Sequence, residues 1–174
     1  MIGHAIVLKN YFPKKNKVTI LHEKFGKINL FVDEKQQAAR LCNGSLIYCD
    51  VVKKQTSSRY QCDFIDAYFI PSDSMHDLYF VHDILKICLN FMPDQMSMVE
   101  VFDLVTDIYQ QLEELQVCQK KIYLLKLFLY LDIFPENKKL YQCVMQDKQL
   151  HTHDTDALLQ QGLKYCWDSD ENYS

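Results

Sequence analysis

Residues 17–32, KVTILHEKFGKINLFV, hold two β-type runs around a tight turn, and their reading decides how the front of the chain folds. Lys17–His22 alternates polar and apolar residues, the pattern of a half-buried strand. Glu23-Lys24-Phe25-Gly26 supplies the turn, with Gly26 free to take a positive φ because it carries no Cβ. Lys27–Val32 then places Ile28, Leu30 and Val32 on one face. Working outward, Ala5–Leu8 is apolar and β-prone, and Tyr11–Asn16 (YFPKKN) makes another turn. After a polar stretch, Asp33–Arg40, come Leu46–Val52 and Tyr60–Ile70, both rich in β-branched and aromatic residues. Five short strands with tight turns and one longer connection predict a small closed barrel of the OB type. An open sheet of that size would expose its edges.

Beyond Pro71-Ser72-Asp73-Ser74 the period changes. Met75–Met92 has apolar residues at helical spacing, with Asp73 and Ser74 as candidate caps and Pro93 as the break. Ser97-x-x-Glu100 reads as a capping box for a long amphipathic helix whose apolar face runs from Met98 to Leu115. Cys118–Leu131 is apolar nearly all round, as the buried centre of a bundle is, and Pro135 closes it. Asp154–Tyr165 suggests one more short helix, and the acidic tail from about residue 168 reads as disordered. The expected class is therefore α+β: an OB-like β-barrel over residues 1–71, then an all-α helical bundle over residues 72–174.

Charge divides at the same place. Residues 1–70 carry eleven Lys and Arg against six Asp and Glu, whereas residues 71–174 carry eight against seventeen. The front attracts polyanions and the back repels them, a contrast that the net charge of −4 conceals. Seven cysteines without a C-x-x-C pair make no disulfide framework, which suits a reducing, cytoplasmic setting. The start, MIGHAIVLKNYF, has no secretory pattern, and the most apolar run, Ile122–Phe134, is too short and too charged to span a bilayer.

No Gly-rich phosphate loop, G-x-S-x-G or H-E-x-x-H occurs, so an enzyme is not expected, nor any cofactor. Cys143, His151, His153 and Cys166 are zinc-type ligands at poor spacing, and no metal is assigned to them. The basic residues are more suggestive. Lys14, Lys15, Lys17, Lys24 and Lys27 surround the first two turns, and Lys53, Lys54 and Arg59 form a second group. Tyr11, Phe12, Phe25 and Phe31 lie among the first, Tyr48 and Tyr60 near the second. Lysines neutralise phosphates and aromatic rings stack on bases, which is how barrel proteins hold single strands. For each ring taken alone core packing is the commoner role, and it is the combination with charge that points to a strand.

The order of segments resembles RecO, the bacterial recombination mediator. GHAIVL, KVTILHEKFGKINLFV, LIYCDVV and the strand to Ile70 are similar to that family's N-terminal barrel. HDLYFVHDILKICLNFMPDQMSMVEVFDLVTDIYQQLEEL is similar to the helical pair that follows it, and YLLKLFLYLDIFPENKKLYQCV to its buried helix, so the likeness covers about residues 3–145. The resemblance implies single-stranded DNA binding, strand annealing and recombinase loading in recombinational repair. The partners it implies are a RecR-like protein and single-strand-binding protein. Two departures stand out. Asp33–Arg40 replaces a basic, glycine-containing stretch and keeps only Lys35 and Arg40, so Arg40 joins the candidate DNA contacts while weaker DNA affinity is expected. Gln146 stands where zinc-bearing members have a second cysteine, and the family's last helices are shortened or missing. An alternative follows: a protein-interaction module of this fold that has lost DNA and docks a partner through its helical part.

Overall fold

The computed structural model of the chain describes residues 1–32, 39, 41–53, 60–69, 75–133, 144, 156–157 and 159–160. Within these, β1 (Ile2–Asn10), β2 (Lys17–His22), β3 (Gly26–Phe31), β4 (Leu46–Lys53) and β5 (Tyr60–Phe69) close a barrel in the order β1-β2-β3-β5-β4. Every pairing is antiparallel except β3 with β5. This is the expected OB-type barrel, and three helices follow: α1 (Met75–Phe91), α2 (Val99–Gln111) and α3 (Val117–Tyr130). The caps proposed at Asp73 and Ser74, the stop at Pro135, the helix over Asp154–Tyr165 and the tail fall wholly or largely outside the described residues. By packing, the chain forms two compact units, Met1–Phe102 and Asp103–Ser174.

Alternation fills the barrel. Val18 and Ile20 from β2, Ile28 and Leu30 from β3, Ile47, Cys49 and Val51 from β4 point inward with Ala5 and Val7. Cys49 and Cys62 belong to that core as free thiols. A hydrogen bond with Cys62, reinforced by burial, pushes the Cys49 thiol well above its ordinary value. These cysteines therefore behave as small hydrophobes and not as nucleophiles.

One strand departs from its pattern. β2 reads as half-buried, yet Thr19 and Leu21 on its outer side are also buried. Part of the reason lies in the connection after α1, which is tied to the β2–β3 hairpin within the first unit. The Gln95 N–H donates to the Lys27 carbonyl at 2.8 Å, and Asp94 forms a single parallel bridge with Lys27. Lys27 Nζ donates to the Leu89 carbonyl at 2.9 Å and pairs with Asp94 at 3.1 Å. Ser97 donates to the Glu23 carbonyl at 3.4 Å, and α2 starts at Val99, one residue later than a cap at Ser97 requires. Gly26, at φ +67°, lets this segment approach: a Cβ there would lie 1.7 Å from the Met96 carbonyl oxygen.

The same hairpin buries a histidine. His22 is fully buried, its Nδ1 accepts the Lys24 N–H at 3.0 Å, and its ring lies 4.9 Å from that of Phe25. The proton of the neutral ring therefore sits on Nε2, which finds no hydrogen-bond partner among the described residues. Burial outweighs the nearby Glu23 carboxylate and lowers the pKa from 6.5 to about 4. As pH falls through 6.5 the unfolded chain takes up this proton while the folded chain does not. Stability conferred by the neutral ring is thus complete above pH 6.5 and is lost down to about pH 4, by roughly 3 kcal/mol in total. Urea unfolding across that range should show the loss. His22→Asn, which keeps an acceptor for the Lys24 amide but cannot titrate, should flatten it, and an unaltered slope in the variant would assign the loss to other groups.

The second unit begins inside α2. Val105, Ile108 and Leu112 are buried at helical spacing, and α3 buries Leu124, Leu125, Leu127 and Phe128. The Gln116 N–H donates to Gln119 Oε1 at 2.8 Å, closing the first turn of α3. Lys121 forms an ion pair with Asp156.

Candidate nucleic-acid interface

Lys17, at the start of β2, and the ends of β4 and β5 at Lys53 and Tyr60 flank one outer face of the barrel, a consequence of register. Lys17 pairs with Phe31, Phe31 with Gln61 and Gln61 with Val52, so one row crosses β2, β3, β5 and β4. The next row runs Val18, Leu30, Tyr60, Lys53. Adjacent strands lie about 4.8 Å apart, which sets Lys17 and Gln61 about 10 Å from each other. Two basic groups far apart in sequence, at Lys14–Lys17 and Lys53, are thereby set around the rim of that one face.

The lysines on that rim keep their charge toward solvent. Lys14, Lys15 and Lys53 are exposed, and Lys17 is half-buried. The Lys17 ammonium sits 4.9 Å from the centre of the Tyr11 ring, and the Lys53 ammonium 5.7 Å from that of Tyr60. Lys9, which sequence reasoning did not select, lies 5.3 Å from the same Tyr11 ring. Such cation–π contacts position an ammonium without cancelling its charge, as an acidic partner would. The signal for Lys9 was available in principle: it is the only charged residue of β1 and is exposed.

Below the rim, a groove of about 220 Å³ runs along β3. Lys17, Phe31 and Tyr60 line it with Asn29 and Lys27, and Asp94 and Gln95 from the connection after α1 supply a further wall. Thr19 donates its hydroxyl proton to Asn29 Oδ1 at 2.7 Å, fixing the Asn29 amide on the outer face. Nothing local in sequence could announce Asp94 and Gln95, because they reach β3 only through the tertiary fold.

The remaining candidates divide. Lys24 lies in the β2–β3 turn, at the opposite end of β2 from Lys17, where it contacts Glu23 at 3.4 Å and the Ile2 carbonyl at 3.4 Å. Lys27 faces the groove but is 12% exposed and held by Leu89 and Asp94. Arg40, Lys54 and Arg59 lie outside the described residues. Of the aromatic set, Phe12 and Phe25 pack against the barrel core and Tyr60 is buried within it. Tyr48 instead joins His4 and Tyr68 on an outer wall formed by β1, β4 and β5, with the His4 and Tyr48 rings 5.0 Å apart. Tyr11 and Phe31 remain as half-buried rings beside the basic rim.

No family model matches the chain, and no curated protein matches it. Among the described residues no three His, Cys, Asp or Glu side chains gather as a metal site, and no helix is long and apolar enough to cross a membrane. Cys143, His151, His153 and Cys166 fall outside those residues.

Proposed function

We propose that this chain is a non-enzymatic DNA-repair accessory protein that holds single-stranded DNA across the β2–β3 face of its barrel. The observation that carries this reading is a groove lined by Lys17, Phe31 and Tyr60, with the exposed Lys14 and Lys15 beside Lys17 and the exposed Lys53 over Tyr60. In OB barrels the strand 2–3 face and the two loops flanking it are where oligonucleotides lie. Phosphates would run along the rim, and bases would meet Tyr11 and Phe31 at about 1–3 kcal/mol per stacked base. The order of segments, similar to that of RecO, extends the proposal to strand annealing and recombinase loading. It also extends it to a RecR-like partner and to DNA coated by single-strand-binding protein, in the cytoplasm.

The test is a labelled oligothymidylate titrated with the protein at rising salt. Four lysines at phosphates give a slope of log affinity on log salt near −3, or about 50-fold weaker binding at 200 mM than at 50 mM. Binding absent at low salt, or indifferent to salt, would remove DNA from the account.

A second reading, a protein-docking module that has lost DNA, draws on Leu78 and Tyr79. Both are exposed on α1, Tyr79 at 65%. It predicts that reversing the rim charges leaves partner capture intact.

A further inference from the structure

The groove has two chemically different ends, and that asymmetry goes beyond a sequence-indifferent grip on a strand. At one end stand Lys17 and Phe31, next to the exposed Lys14 and Lys15. At the other, Lys27 and Asp94 hold an ammonium and a carboxylate 3.1 Å apart. The span from residue 27 to residue 31 of β3 is about 13 Å, so one nucleotide can reach from end to end. The acidic wall is not an accident of a loose loop. Gln95 and Asp94 are fixed to β3 by the backbone hydrogen bond and bridge at Lys27, and Gly26 admits the following residue at close range.

We propose that this groove takes one unstacked nucleotide and selects guanine, an inference that rests on the single-strand-binding reading above. The sugar and phosphate lie at the Lys17 end, where positive charge is concentrated. The ring passes Phe31 and Asn29, and its Watson–Crick edge meets the Lys27–Asp94 pair. Guanine presents N1–H and N2–H side by side, two parallel donors that a carboxylate accepts together, with the O6 acceptor next to them. Asp94 takes the two donors and the adjacent Lys27 ammonium donates to O6. Lys27 has three protons, of which Leu89 and Asp94 engage two. Adenine offers one donor and one acceptor on that edge and satisfies the pair only in part. Cytosine and thymine have a single ring and fall short of the far end when their phosphate is at Lys17. Carboxylate and ammonium, ill suited to a phosphate run when adjacent, suit a base edge of mixed polarity.

The experiment uses the full chain and fluorescein-labelled oligothymidylates of about 12 nucleotides, within the range one OB barrel covers. One internal residue is dT, dG, dA, dC or abasic, and anisotropy is read at low salt. Because sequence-independent contacts allow sliding, a single dG can find the groove. The expected result is about tenfold tighter binding of the dG oligomer than of the all-dT one, with dA intermediate and dC like dT. Asp94→Asn, which breaks the double acceptor, should bring the dG and all-dT oligomers to the same affinity. As a measurement free of any variant, guanosine monophosphate should displace the dG oligomer at lower concentration than thymidine monophosphate does. Equal affinity for all five oligomers, or guanine preference surviving in Asp94→Asn, overturns the inference and leaves single-strand binding standing. Failure of every oligomer to bind overturns both.

Discussion

Gly26→Ala is expected to destabilise the first unit by about 3 kcal/mol or more, the largest effect of any single methyl group in the barrel hairpin. Two costs combine. The backbone at φ +67° is left-handed, which an L side chain adopts at about 1 kcal/mol or more. The added Cβ also meets the Met96 carbonyl oxygen at 1.7 Å, a clash with backbone that no rotamer relieves. Either β3 or the segment from Asp94 to Ser97 must then move, and the Gln95–Lys27 hydrogen bond and the Lys27–Asp94 pair go with it. In thermal unfolding this corresponds to a midpoint about 10–20 °C lower for a unit of this size. An unchanged midpoint would show that the segment does not close on the hairpin as described.

Reversing Lys14, Lys15 and Lys17 together to Glu is expected to weaken single-strand binding at low salt by more than about 100-fold. Three phosphate partners are lost and three repulsive charges replace them along the same rim. Lys14 and Lys15 are exposed and Lys17 is half-buried, so the unfolding midpoint, read alongside, separates a binding defect from a folding one. The comparison that gives the result meaning is position. Lys24→Glu, one charge reversed at the opposite end of β2 from Lys17, should cost much less than Lys15→Glu alone. Equal effects at the two ends would mean that net charge alone attracts the strand and that no defined rim exists.

Much of the frame was legible before any coordinates. Lys17–His22 is a strand to the residue, and the β3, β4 and β5 bounds differ by a residue at most from the runs read at 27–32, 46–52 and 60–70. Alternating side chains and Gly26 were enough, because a strand's period and a turn's φ are local matters. β1 proved longer than its apolar run Ala5–Leu8. His4 and Lys9 carry weak β preference, and pairing with β2 and β4 extends the strand over them. The capping box missed the helix start by one residue: α2 begins at Val99, where a cap at Ser97 would start it at Met98.

The site was half legible. Composition found the lysines, but only register could say that Lys17 and Lys53 stand on adjacent rows across β2, β3, β5 and β4. It could not separate Phe31, on the outer face, from Phe25, whose ring lies 5.6 Å from Tyr60 inside the barrel wall. Asp94 and Gln95 carried no signal at all, since an acidic residue after Pro93 reads as an ordinary loop.

The tie between Lys27 and the far end of α1 also fixes an order of assembly. All five strands have left the ribosome once Phe69 has, and the barrel can then close on contacts of its own. The Lys27 ammonium must wait, because its carbonyl partner lies 62 residues along the chain. Until α1 is made and folded back, β3 presents a bare cation and an open flank. Closing so long a loop late costs little more entropy than closing a shorter one, since the penalty grows only with the logarithm of length. The groove's second wall is therefore built after the barrel strands, and a nascent chain that already has its barrel does not yet have its site.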